Sequence, residues 1–82
     1  MRIPTVHLNG TSKRQLLHQF AESAIAIQNA MDVLSYNAPH GRDYYPQGEE
    51  AIEEALAEHR ARISKLNAVR IELLDIAQAV FG

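Results

Sequence analysis

The chain has 82 residues, a net charge of −2 and no cysteine. That length allows one domain, near the size at which a single core becomes marginal, and neither a disulfide framework nor a thiolate zinc site can reinforce it. The slightly acidic balance lacks the basic excess of a dedicated nucleic-acid binder, which excludes long nucleic acid as a partner but leaves room for a local basic site.

No apolar run follows Arg2, and no stretch approaches the ~20 apolar residues of a membrane span. A secretory signal and a membrane partner are therefore not expected, and the cytosol is the expected compartment.

Arg2–Leu8 alternates around β-branched residues and reads as a short extended segment. Pro4 lacks a backbone donor, which restricts it to an edge strand or an arm, with a disordered arm as the alternative. Asn9-Gly10 is turn chemistry that closes the segment. Ser12 with Gln15 three residues on fits a capping box, and a helix is predicted over about 13–38. Leu17, Phe20, Ala24, Ile27, Met31, Leu34 and Ala38 then alternate steps of three and four, a heptad seam. Pro39 disfavours helical geometry at Ala38 and closes the helix.

The second helix is predicted over about 49–80. Glu49, Glu50, Glu53 and Glu54 crowd its first turns, where the helix dipole favours carboxylates. Glu58 and Arg62 stand at i and i+4, the favourable orientation for an ion pair. The seam reads Ile52, Leu56, His59, Ile63, Leu66, Val69, Leu73, Ile76 and Val80. Ile71, Leu74 and Phe81 add apolar surface on other faces, more than one partner helix can cover. At 1.5 Å per residue this helix is longer than the first by roughly 9 Å, and it is expected to project past the first helix's start. The predicted fold is all-α: an antiparallel two-helix hairpin over residues 1–82, with an arm over 1–11 and a bend over 39–48. It is expected to form a homo-oligomer through the C-terminal half of the second helix.

Catalytic constellations are missing from the sequence. His7, His18, His40 and His59 are scattered, so no metal site is expected, and His18 with Glu22 reads as surface decoration. His59 lies on the seam and reads as a core histidine. No serine stands in a nucleophile elbow, and the paired carboxylates lie on a solvated helix start. Neither an enzyme nor a cofactor is expected.

Two stretches carry recognition chemistry. At the first helix start, Thr11, Ser12, Lys13 and Arg14 combine hydroxyls, cations and free backbone N–H groups into a candidate anion site; the plainer reading is a cap followed by surface charges. The bend offers His40, Gly41, Arg42, Tyr44 and Tyr45. Arg42 can clamp a phosphate, the tyrosines can stack a base, and Gly41 and Gly48 would let backbone approach closely. The plainer reading is a loop stapled by its tyrosines, with Asp43 pairing Arg42. The two stretches lie at opposite ends of the first helix, so they would meet only if a second hairpin packed antiparallel.

Val6–Ser12 and Gly41–Gly48, reading VHLNGTS and GRDYYPQG, resemble small proteins encoded by phages and prophages that pair such a start and bend with two alanine-rich helices. In size and helical style the chain is also similar to phage sponge proteins, which oligomerise and sequester the cyclic nucleotide signals of bacterial immunity. The resemblance implies a phage-type accessory protein, and with the two recognition stretches it leads to the expectation of a small phosphorylated ligand bound at an inter-subunit site without turnover. The alternative is a protein–protein module that engages a host or virion protein through the Arg-Asp-Tyr-Tyr bend.

Overall fold

A computed structural model describes residues 1–82. Two long helices, α1 (Lys13–Tyr36) and α2 (Ala51–Phe81), pack against each other as a hairpin, joined by two short 3₁₀ turns at Gly41–Asp43 and Tyr45–Gln47. Residues 1–7 form no strand, so the N-terminal segment is an irregular arm rather than a sheet edge. Its end is the predicted turn, where the Gly10 N–H donates to the His7 carbonyl at 3.2 Å.

Helix α1 begins as its cap predicts. Ser12 stands in extended geometry and its Oγ accepts from the Gln15 N–H at 3.2 Å, the forward half of a capping box. The helix ends at Tyr36, two residues before the expected limit. Asn37 stops it: its backbone N–H reaches both Val33 and Leu34 carbonyls, and its side-chain amide donates to the Val33 carbonyl at 2.9 Å. Ala38 thus leaves the seam and is exposed. Helix α2 starts at Ala51 rather than Glu49, with Glu50 as its cap and Glu53 and Glu54 in its first turn. The anticipated surface pairs form, Glu58 with Arg62 at 3.3 Å and His18 with Glu22 at 3.1 Å.

The α1 seam from Leu17 to Leu34 faces α2, with Ala24 buried among half-buried seam neighbours. His59 is 8% exposed, and its Nε2 lies 2.7 Å from the Leu34 carbonyl oxygen, which fixes the register at the bend end. At the other end Lys13 Nζ sits 5.5 Å from the Phe81 ring centroid, so α2 finishes level with the start of α1. This corrects the expected projection past that start. The extra length of α2, 31 residues against 24, lies at the bend instead, where its first turns are packed by the second 3₁₀ turn.

Beyond Leu66 the α2 seam holds at Leu73, Ile76 and Val80 and differs from expectation at Val69. Steps of four and three from Leu56, His59, Ile63 and Leu66 lead to Arg70, Leu73, Ala77 and Val80. Arg70 and Ala77 are half-buried, whereas Val69 is exposed. Apolar character pointed to Val69; helical geometry places the Arg70 stem at the seam instead, because long basic side chains can bury their methylenes while keeping the charge near water. Only three residues, Ala24, His59 and Val80, are buried, and no large side chain is fully so.

Candidate functional site at the bend

The bend is held by its own backbone. His40 caps the first 3₁₀ turn by accepting the Arg42 N–H on Nδ1 at 3.1 Å, and the Asp43 N–H donates to the His40 carbonyl at 3.0 Å. Gln47 donates to the Tyr44 carbonyl at 2.9 Å and Gly48 to the Tyr45 carbonyl at 3.2 Å. Gly48 then turns the chain into α2 at φ +109° and ψ 163°, a region open in practice only to glycine. Gly41 has no such requirement. A Cβ there would meet Ile52 at 4.0 Å, an ordinary contact, so close backbone approach does not explain it.

On this frame Tyr44 is half-buried, while Arg42 is exposed and Tyr45 is 77% exposed. The staple reading therefore fits Tyr44 and not Tyr45. No ion pair joins Arg42 to Asp43, and the guanidinium makes no hydrogen bond within the chain. His40 is engaged as a cap through Nδ1, which leaves Nε2 without a partner within the chain.

At the far end of α1, Thr11, Ser12, Lys13 and Arg14 are all exposed. The Ser12 hydroxyl oxygen already serves the helix cap, and Lys13 lies over Phe81. The 24 residues of α1 separate this group from the bend by about 36 Å, so one chain does not bring the two together.

Charge at the bend is unfavourable to an anion in a single chain. A groove of about 490 Å³ beside the second 3₁₀ turn is lined by Gln47, Gly48, Glu49, Glu50, Ala51 and Glu54. Arg42 is the one cation between α1 and α2, against Asp43 and these carboxylates.

A second groove, of about 340 Å³, was not anticipated. It runs along the hairpin between Ala21, Ala24, Ile25 and Gln28 of α1 and Arg70 and Leu74 of α2. The Arg70 Nε and Nη2 both donate to Asn67 Oδ1, at 3.0 and 2.9 Å, which holds the guanidinium at the groove. The signal was present in the sequence as the regular step from Leu66 to residue 70. No group of histidines and carboxylates has metal-site geometry, and no helix is long and apolar enough to cross a membrane. Comparison of the chain with protein-family models, curated proteins and solved structures finds no match.

Proposed function

We propose that this chain is a non-catalytic binding protein, a phage-type accessory protein that sequesters a small phosphorylated ligand of the cyclic-nucleotide class at the bend. The observation that carries this reading is the pairing of a pinned backbone with the unengaged Arg42 guanidinium and the exposed Tyr45 ring. Groups held on an ordered frame bind with a smaller ordering cost than groups on a mobile loop. Arg42 clamps phosphate and Tyr45 stacks a base, with Tyr44, Gly41 and the free His40 nitrogen forming the wall.

The carboxylates around the bend oppose this role in a single chain. Further cations have to come from a second copy, and Lys13 and Arg14, with the Thr11 and Ser12 hydroxyls beside them, supply them when two hairpins overlap antiparallel along their full length. Calorimetric titration against cyclic di- and trinucleotides tests the reading. Saturable binding is expected, weakened tenfold or more by Arg42→Ala, since a hydrogen bond to a charged group contributes about 1.5–3 kcal/mol. Oxidation of an equimolar mixture of Lys13→Cys and Arg42→Cys chains should join the two variants. No heat from any nucleotide would overturn the ligand reading.

A second reading has its own support in the exposure of Tyr36, at 89%, and Tyr45, at 77%, together with the acidic groove at the start of α2. Tyrosine and arginine dominate protein-binding hot spots, so the bend would then dock on a basic patch of a host or virion protein. Retention of such a protein on immobilised chain, lost with Tyr45→Ala, distinguishes it from the first.

A further inference from the structure

A hairpin of this kind leaves most of its apolar side chains uncovered. The chain exposes 6389 Å². A compact monomer of 9.2 kDa exposes about 4,900 Å², which leaves an excess of about 1,450 Å². Each partner in a standard interface contributes about 800 Å², so the excess covers one interface and leaves area for the exposed arm.

Exposed apolar side chains stand on both flanks of the hairpin, Val69 at 46% among them, but only one flank also carries a hollow. Along one flank of the hairpin, Ile25 is 62% exposed, and Ile71, Leu74 and Phe81 stand out from α2. Between them lies the hollow floored by Ala21 and Ala24. The same flank thus carries both projecting side chains and a cavity wide enough for one. A two-fold contact requires this self-complementarity, because the surface must fit a copy of itself.

We infer that this flank is the docking surface for a second copy of the chain, and that Leu74 or Ile71 of each copy fills the Ala21–Ala24 hollow of the other in a four-helix bundle. The occupant is a second copy rather than a foreign helix, because knobs and hollow share one face and the uncovered area is sufficient for a standard dimer interface. Gln28 and the Asn67–Arg70 pair edge the contact and keep polar groups at its border, where interfaces carry them. The inference rests on surface shape and area, independently of any ligand at the bend.

Sedimentation equilibrium of the full chain tests it. The wild-type chain is expected at twice 9.2 kDa at micromolar concentration, and Leu74→Glu or Ile25→Glu at or near 9.2 kDa. Val69→Glu, on the opposite flank of α2, is expected to keep the wild-type mass. A monomeric wild type, or a dimer broken by Val69→Glu and spared by Leu74→Glu, would overturn the assignment. Because a separated hairpin can lose its fold, a photo-crosslinking residue at Ile25 gives an independent reading in the intact assembly. Chain-to-chain products are expected from position 25 and not from position 69, and the reverse pattern would also overturn the assignment. Loss of nucleotide binding with the dimer intact defeats only the ligand reading.

Discussion

His59 is the residue on which the pairing of the helices turns. It is polar, it occupies a seam position, and it is buried because the Leu34 carbonyl gives its ring a partner at 2.7 Å. That carbonyl also receives the Asn37 N–H at 3.1 Å, so one oxygen ties the end of α1 both to its cap and to α2. A buried polar ring without such a partner would cost more than it contributes. His59→Ala removes the hydrogen bond and opens a cavity at once, and a loss of about 2–4 kcal/mol is expected in urea denaturation. The position was legible from the heptad spacing, whereas its partner, a backbone oxygen on the other helix, has no sequence signature.

At the scale of elements, the two glycines of the bend separate by mechanism. Gly48 is required by its positive φ, and Gly41 is not required by space. Gly48→Ala should therefore cost about 1–3 kcal/mol, the strain of a non-glycine residue in that region. Gly41→Ala should fall within about 0.5 kcal/mol of wild type in the same thermal or urea melt. Helix identity and the α1 seam were readable because a 3.6-residue period repeats over many turns. The element ends were less readable. Pro39 announced the end of α1, but Asn37 bonded back to the helix two residues earlier. In α2 the apolar Val69 drew the expected seam one position away from Arg70, because hydrophobicity alone does not record which of two adjacent positions faces the partner helix. The bend's chemistry was visible as residue types, whereas which side chains were free depended on local hydrogen bonds. His40 is engaged as a cap, Tyr44 is partly covered, and Arg42 and Tyr45 remain open.

The whole molecule measures 61 × 20 × 17 Å with a radius of gyration of 18.3 Å, against about 12 Å for a compact chain of this length. Such a slab is one layer of helices where stable domains have two, which is the physical reason a second copy is proposed to cover one flank. The antiparallel register has a further consequence, for the order in which the chain folds. Pairing Leu34 with His59 closes a loop of about 25 residues, whereas pairing Lys13 with Phe81 closes one of about 68, at an added cost near 0.9 kcal/mol if formed first. The hairpin should zip from the bend toward its two termini. Stopped-flow refolding should show His59→Ala slowing folding, while Phe81→Ala mainly speeds unfolding. Equal effects of the two variants on the folding rate would contradict that order. The contact that sets the register in the finished hairpin would then also be the first one made.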